Sequence, residues 1–398
     1  MSDSSESQST NSMPSSMVAL FAVASGLAVA NIYYTQPLIS LISPDIGISA
    51  GLAGLIVAFV QLGYGLGLLF LVPIADVIEN RRLTVYLMAG VVVGLVGIAL
   101  SSSVFTFLLS CLLVGVCAVA AQVLVPMASH LAPEQSRGRV VGNVMGGLIA
   151  GIMLARPFSS LVADYWGWRA VFWVTAAIML ATLLVLSRAL PQRPSRHGRY
   201  GEIIASLPKI FAGTPLLRRK ALYQGMMFAA FNLFWTGVPL LLGSKFGFSQ
   251  SGIALFALAG AGGALAAPMA GRLADRGLTM AGTGAGLVVG ALALVLAGWA
   301  GSGLHLVLLV IAAIILDAAV QTCQVLNLRS IYMLAPHLRG RLNGLFMTAV
   351  FICGACGSAF AAALYAYWGW LGVVALATLC PLVAFVAFLF EARHQQSK

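Results

Sequence analysis

The sequence has very few charged side chains. Of its 398 residues, only 8% are Asp, Glu, Lys or Arg, whereas soluble domains average about 25%. Hydrophobic residues make up 60% of the chain, and stretches long enough to cross a bilayer fill almost all of residues 17–390. This composition excludes an ordinary water-soluble protein and predicts a membrane protein.

The sequence also lacks the patterns of ATP-driven pumps and of enzymes. No Gly-x-x-x-x-Gly-Lys-Ser/Thr segment occurs, which excludes ATP binding by a P-loop. The five histidines are scattered near span ends or in loops, and the six cysteines all lie in apolar segments, where we expect free thiols. We therefore predict no enzymatic activity, no cofactor, no bound metal and no nucleic-acid partner.

Charges, prolines and polar clusters divide the apolar run into twelve candidate spans. These spans cover residues 17–40, 50–75, 83–103, 104–131, 139–163, 169–190, 219–243, 250–273, 279–300, 304–332, 340–364 and 370–390. The predicted organisation is a disordered cytoplasmic tail (1–16), a six-helix bundle (17–190), a cytoplasmic central loop (191–218), a second six-helix bundle (219–390) and a cytoplasmic tail (391–398).

Basic residues indicate which side of the membrane each loop faces, because cytoplasmic loops close to spans accumulate Lys and Arg. With both termini in the cytoplasm, nineteen of the 22 basic residues lie on that side, and the exceptions are Arg156, Arg169 and Lys245. We predict a multi-pass protein of the bacterial inner membrane with an even number of spans and both termini cytoplasmic.

An internal repeat relates the two halves of the chain. Residues 137–168 align without gaps to residues 339–370, with ten of 32 positions identical, including Arg-Gly-Arg at the start and Tyr-Trp-Gly-Trp at the end. Residues 31–35 (NIYYT) likewise resemble residues 232–236 (NLFWT). Because the repeated unit holds six spans, both copies keep one orientation, which implies parallel halves related by an axis along the membrane normal.

Charged loops follow spans two and eight at equivalent places in the two halves. The first, VPIADVIENRRL, contains Asp76, Arg81 and Arg82, and the second, AGRLADRG, contains Asp275 and Arg276. Both resemble the signature between helices two and three of the major facilitator superfamily, the second more completely than the first. The resemblance implies that each Asp serves a gate by packing against a helix end and basic side chains. The alternative is that these residues only end helices among arginines that set the topology.

A wider resemblance covers nearly all of the chain. The segments ANIYYTQPL, QLGYGLGLLFLVPIADVIENRRL and GWRAVF are similar to a bacterial branch of the superfamily described as efflux permeases. The resemblance implies an all-α membrane fold of twelve transmembrane helices in two pseudo-symmetric six-helix bundles. Two features of proton-driven drug antiporters are missing, because Cys111 stands where span four usually has an Arg, and Ala155-Arg156-Pro157 replaces the Gly-Pro motif of span five.

Two charged side chains are predicted to lie inside spans, where charge is expensive and usually functional. Asp317 is about thirteen residues into span ten, roughly 20 Å below its outer edge, and the family fold implies that span ten lines the central cavity. A carboxyl removed from water there can take up a proton. We predict Asp317 as the proton-coupling residue, and the alternative is a structural acid. Arg156, in the outer half of span five, has three open interpretations: anion binding, pairing with Asp317, or extension towards the outer surface.

Polar and aromatic side chains in the spans are candidates for solute binding, because amide and aromatic groups together suit an amphipathic organic solute. Tyr and Trp also form belts at membrane interfaces, but these positions are about ten residues or more from the cytoplasmic span ends. The candidates are Asn31, Tyr34, Thr35, Gln61, Gln122, Asn232, Trp235, Thr236, Gln321 and Gln324.

The sequence thus predicts a secondary active transporter that moves a small, amphipathic organic solute across the inner membrane by alternating access, with proton-coupled efflux. The alternative is a proton-coupled importer of a small organic anion with Arg156 as its ligand. The predicted partners are the solute, protons and the lipid bilayer, without ATP. A passive channel would not need two repeated halves.

Overall fold

The computed structural model describes residues 13–191, 199–260, 262–263, 266–334 and 338–396, and the regular elements in these ranges are all helical. Most of the predicted tail 1–16, residues 192–198 of the predicted central loop and the last two residues of the predicted tail 391–398 lie outside the described residues.

The first group of helices precedes the predicted central loop. Its members are α1 (Ser15–Ala30), α2 (Ile39–Asp45), α3 (Leu55–Phe70), α4 (Asn80–Leu100), α5 (Val104–Ala118), α6 (Ala120–Leu131), α7 (Arg137–Trp166) and α8 (Trp168–Ala189). Short 3₁₀ helices occur at Gln36–Leu38, Ala50–Leu52 and Val72–Asp76.

The predicted central loop contains a helix, α9 (Tyr200–Gly213), before the second group begins. The members of the second group are α10 (Pro215–Ser244), α11 (Gln250–Gly260), α12 (Ala266–Asp275), α13 (Thr279–Ser302), α14 (Leu306–Tyr332) and α15 (Arg339–Gln396). Helix α15 thus continues into the predicted C-terminal tail.

Within the described ranges, nine helical stretches are long and apolar enough to cross a membrane. The last stretch holds two predicted spans, because Gly369 has φ of 65° and breaks the helical path inside α15. A positive φ is readily adopted only by glycine. The apolar helices α1 and α11 are shorter, because the chain departs from regular helix within predicted spans one and eight.

The interruption of predicted span one lies between Asn31 and Leu38. The Asn31 side-chain amide donates to the carbonyl oxygens of Leu27 and Ala28 at 2.7 and 3.2 Å, where it competes with the next backbone bonds of the helix. Pro37 then follows without a backbone N–H. Residues 31–39 are all buried, as irregular backbone at membrane depth has to be.

The helices of each group pack mainly within their own group. Glycines allow close approach in the first group: a Cβ on Gly26 would lie 2.5 Å from the carbonyl oxygen of Gly147. In membranes, where lipid is as apolar as the helices, such close packing of small residues stabilises helix association.

The two groups meet along two helix pairs, α3 with α15 and α7 with α11. On the first pair, a Cβ on Gly54 would overlap the carbonyl oxygen of Ser358. On the second pair, the Ser251 hydroxyl donates to the Asp164 carboxylate. The contact between α7 and α11 joins the groups at the end of the molecule opposite the arginine-rich loops, which we call the closed end.

Gly115 of α5 provides a test of this packing. A Cβ there would overlap the carbonyl oxygen of Val60 and lie 2.9 Å from the backbone nitrogen of Tyr64. We expect Gly115→Ala to lower the free energy of unfolding by about 1–3 kcal/mol, as overpacked substitutions do, measured by thermal unfolding in detergent.

The matched control is Gly146→Ala in α7, where a Cβ would meet nothing within 4 Å. Because Ala is the better helix former by about 1 kcal/mol, this variant should be as stable as the parent or more so. Equal melting temperatures for the two variants would contradict the close α3–α5 contact.

Candidate functional site

The two charges predicted inside the spans both contact Trp235 of α10. The guanidinium carbon of Arg156 lies 4.6 Å from the centre of the indole ring. On the other side of the residue, the indole Nε1–H donates to Asp317 Oδ1 at 2.8 Å. Among the described side chains, Arg156 and Asp317 form no direct ion pair, so Trp235 lies between opposite charges from α7 and α14.

Arg156 is 6% exposed and is surrounded by aromatic rings. Its guanidinium carbon is also 4.9 Å from the Tyr33 ring centre and 5.2 Å from that of Phe231, so cation–π attraction contributes from three sides. Its Nε donates to Gln36 Oε1 at 2.7 Å. Its Nη2 is buried without a hydrogen-bond partner, which is costly for a charged donor.

Asn232 of α10 is the centre of a hydrogen-bond network that joins the two groups of helices. Its Oδ1 accepts from Gln36 Nε2 at 3.1 Å, from Ser358 Oγ at 3.4 Å and from Gln61 Nε2. The same Ser358 hydroxyl accepts from Thr236 Oγ1 at 3.3 Å. The network is buried, and Gln36 connects it directly to Arg156.

We call these interacting residues the central cluster. Its members are Tyr33, Gln36, Gln61, Arg156, Phe231, Asn232, Trp235, Thr236, Asp317 and Ser358.

Two glycines make room for Trp235 and Asp317, which belong to the second group of helices. A Cβ on Gly260 would lie 2.6 Å from the Trp235 indole, and a Cβ on Gly263 would lie 2.5 Å from Asp317 Cβ. Larger residues would displace one or the other, since real Cβ atoms do not approach so closely. The glycines of predicted span eight therefore position both the indole and the carboxyl.

Three predicted solute-binding residues in span one lie outside the cluster. Asn31 donates to carbonyls of its own helix and lies 3.7 Å from Met179 Sδ. Tyr34 packs on Phe158, with ring centroids 5.8 Å apart. The Thr35 hydroxyl is buried without a partner. The turn after Ala30 brings Tyr33 and Gln36 to the cluster instead.

The remaining predicted polar residues also lie apart from the cluster. Gln122 donates to the Tyr64 hydroxyl at 3.1 Å, and Gln324 Nε2 lies 3.2 Å from Met347 Sδ. Gln321 is partly buried. Of the predicted site residues in span ten, Asp317 alone belongs to the cluster.

Sequence reasoning missed four members of the cluster: Tyr33, Gln36, Phe231 and Ser358. Three of them had a signal in the sequence. Ser358 occupies the position that aligns with Arg156 in the internal repeat, Tyr33 lies within the NIYYT segment, and Gln36 directly follows that segment. Phe231 had none beyond being aromatic, because contact with Arg156 depends on packing between distant helices.

The cluster is closed to any organic solute in this conformation. Beside Arg156 and Trp235 there is a void of about 10 Å³, roughly the space for one water molecule. A cavity of about 290 Å³ lies at the arginine-rich end and is lined by residues that include Gln122, Asp76, Arg81 and Arg341. This cavity is in contact with both groups of helices and lies at that end.

The two charged loops have different contacts. Asp275 pairs with Arg329 of α14 at 2.5 Å, and Arg276 is exposed. In the first group, Arg81 donates to the Ser187 carbonyl oxygen and Arg82 pairs with Glu79 at 3.0 Å.

Asp76, the first-group counterpart of Asp275, lines the large cavity and forms no ion pair with a described residue. The exposed pair of Asp275 and Arg329 is worth little by itself, about 0–1 kcal/mol. The two loops therefore differ in the contacts of their acids, although their sequences are equivalent.

Asn232→Ala tests the network. Removal of its side-chain oxygen leaves donors of Gln36, Gln61 and Ser358 without their acceptor, and each buried unpaired donor costs about 1–3 kcal/mol. We expect a marked fall in the melting temperature. The control is Asn31→Ala, because Asn31 occupies the equivalent repeat position and donates only within its own helix and to Met179. A smaller fall for Asn232→Ala than for Asn31→Ala would contradict the network.

Comparison with known proteins is consistent with this architecture. The chain is 40% identical over 341 residues to the uncharacterized transporter YgaY of Escherichia coli O157:H7, covering 85% of this chain and 86% of the relative. It is 26% identical over 239 residues to a chloramphenicol resistance protein of Streptomyces lividans, covering 59% and 60% of the two chains. The solved structure of a D-xylose-proton symporter superposes with a TM-score of 0.77 over 94% of this chain and 96% of that chain, at 14% identity, and so shares the fold.

The sequence profile described as Major Facilitator Superfamily matches residues 21–332. Together with the apolar helices, this match makes the protein a multi-pass transporter of the bacterial inner membrane rather than an enzyme. The chain belongs to the major facilitator superfamily.

Proposed function

We propose that the protein is a secondary active transporter that exports a small, amphipathic organic solute by alternating access, with Asp317 as the proton-coupling residue. The observation behind this proposal is the meeting of Arg156 and Asp317 on Trp235, between the two groups of helices and beside a closed void. In alternating access, the two halves rock around a site near the midplane of the membrane.

The positions of the cavity and of the contacts between groups support a rocking movement of one group of helices against the other. The closed end has the contact of Ser251 with Asp164 between α11 and α7, whereas the arginine-rich end has the cavity of about 290 Å³. The central cluster lies between these regions and includes residues of both groups. A rigid-body movement that parts α7 from α11 would open the cluster towards the closed end, and the arginine-rich end would close.

Asp317 is the only acid in the central cluster, and Arg156 is the only base there. One charge that crosses a potential of 100 mV is worth about 2.3 kcal/mol, which at about 1.4 kcal/mol per tenfold sustains roughly fiftyfold accumulation of a solute. A single proton bound at Asp317 in each cycle is therefore enough to drive concentrative transport.

The side chains of the cluster suit an amphipathic solute. Trp235 and Phe231 offer flat apolar surfaces, and the amides of Gln36, Gln61 and Asn232 offer hydrogen bonds. Ligand sites commonly combine an apolar lining with a few placed polar groups. Parting of the two groups would expose both kinds of surface to the solute.

Export is supported by the resemblance to efflux permeases and by the relative named as a chloramphenicol resistance protein. That name describes the relative, and the matched region covers 59% of this chain. Resistance to a toxic compound through a transporter is achieved by moving the compound out of the cell, which is the direction that we propose.

A second candidate function is proton-coupled uptake of a small organic anion. The unpartnered Nη2 of Arg156 favours it, because a buried guanidinium donor is satisfied well by a carboxylate. In this cycle Asp317 takes up a proton as the anion binds Arg156, and the charge of the cluster is kept constant.

The test is solute flux in proteoliposomes with an imposed pH gradient. The probes are chloramphenicol, tetraphenylphosphonium and benzoate, which are neutral, cationic and anionic in turn. We expect the gradient to drive accumulation of a transported probe by the parent, and Asp317→Asn to remove the effect of the gradient. The control is Glu202→Gln, an exposed residue of α9 paired with Arg199, which should behave as the parent.

The results distinguish the two functions. Exchange of a solute against protons supports export, whereas co-transport of benzoate with protons, lost in Arg156→Gln, supports anion uptake. Proton coupling through Asp317 is wrong if flux ignores the gradient and Asp317→Asn transports as the parent does.

A further inference from the structure

Trp235 contacts two charged residues that belong to different groups of helices. Its Nε1–H donates to Asp317 within the second group of helices, and its ring contacts Arg156 of the first group. The residue is 2% exposed. Phe234 and Phe256 hold the ring by edge contacts, with centroids 5.5 and 6.0 Å away. A small rotation of this side chain therefore changes both contacts together.

We propose that Trp235 is the positioning residue that transmits protonation of Asp317 to Arg156, and thereby to the contact between the two groups of helices. The inference rests on the proposed proton coupling. It assigns to one indole the link between the proton site in α14 and the guanidinium in α7.

The step is proton transfer from a hydronium ion to a carboxylate oxygen of Asp317. One O–H bond of hydronium breaks, one O–H bond of the carboxyl forms, and a water molecule is released. Before this addition, the indole N–H donates to a charged acceptor, which makes the hydrogen bond roughly twice as strong as one to a neutral acceptor. After it, the bond is weaker or broken. The indole is then held in place mainly by its aromatic neighbours.

The charged and titratable groups that face Asp317 are few. Arg156 from α7 and Tyr33 from the turn after α1 interact with it electrostatically, and Trp235 of α10 is its hydrogen-bond partner. From the glycine-rich segment between α11 and α12, Gly263 contributes no charge. The charge state of Asp317 is therefore felt chiefly by Arg156 and Trp235.

Protonation leaves Arg156 without a nearby negative charge. A buried charge that has lost its compensating partner is strongly destabilising. Two responses restore its solvation: the two groups part so that water reaches the guanidinium, or an anion binds at the free Nη2. The first response moves Arg156 of the first group away from the indole ring of the second group, and this connects proton uptake to opening.

Two replacements at Trp235 test the role of the N–H donor separately from that of the aromatic ring. Trp235→Phe keeps an aromatic surface and removes the donor. Incorporation of β-(3-benzothienyl)alanine at this position keeps the size of the indole as well and lacks the N–H. The matched control is Trp370→Phe, because Trp370 is also buried in the second group and its Nε1 donates to the backbone oxygen of Ala297 at 2.9 Å, remote from any carboxylate.

The experiment measures a distance between α7 and α11, and it can be done without a transported solute. Genetically encoded nitroxide side chains replace Tyr165 of α7 and Leu255 of α11, which are exposed residues on the helix pair of the closed end. Electron–electron double resonance then gives the distance between these helices in lipid nanodiscs at about pH 8 and about pH 5, a range that spans ordinary physiological titrations. Asp317→Asn, which cannot carry the charge, is measured beside the Trp235 variants.

We expect the parent and Trp370→Phe to gain a longer-distance population at the lower pH. Both replacements at Trp235 should lose this pH-dependent shift, and Asp317→Asn should show the longer population at both pH values. A shift of parental size in the benzothienyl variant would overturn the role of Trp235 and leave proton coupling intact. Absence of the shift in the parent itself would contradict the proposed coupling and the inference together.

Discussion

The charge of Arg156 is the constraint on which the rest of the central cluster depends. A guanidinium within an apolar bundle is stable only when other groups replace the water that it has lost. Here three aromatic rings, the Gln36 carbonyl oxygen and the nearby Asp317 replace that water, with Trp235 between the two charges. These groups come from three stretches of the chain, namely the turn after α1, α10 and α14, so the environment of Arg156 depends on how the two groups of helices meet.

Much of the fold was predictable from composition and the repeat, because a membrane leaves few ways to satisfy a backbone. Apolar length identified most of the spans, and the repeated segments identified two related halves. The breaks in predicted spans one and eight were not predictable from apolar length, since a hydrophobic run looks alike whether or not it is continuous helix. The break in predicted span one is accompanied by side-chain hydrogen bonds of Asn31 to its own helix.

The same breaks decide which site residues could be predicted. Asn232 and Trp235 were predicted from the internal repeat and Asp317 as a charge inside a span, and all three lie on continuous helices. Tyr34 and Thr35 lie in the turn after Ala30, where helical periodicity no longer applies. Gln36 contacts Arg156 and Asn232 there, and its sequence position did not predict these contacts. The contacts of Arg156 arise between helices that are far apart in sequence, and a single sequence does not contain that information.

The three donors on Asn232 Oδ1 have a further consequence. An amide oxygen has two lone pairs, yet Gln36, Gln61 and Ser358 all point their donors at this one atom. One of the three can therefore turn to another acceptor while Asn232 stays fully satisfied. The resting cluster thus has one more hydrogen-bond donor than Asn232 Oδ1 has lone pairs, and a solute that accepts from this donor leaves Asn232 Oδ1 with two hydrogen bonds.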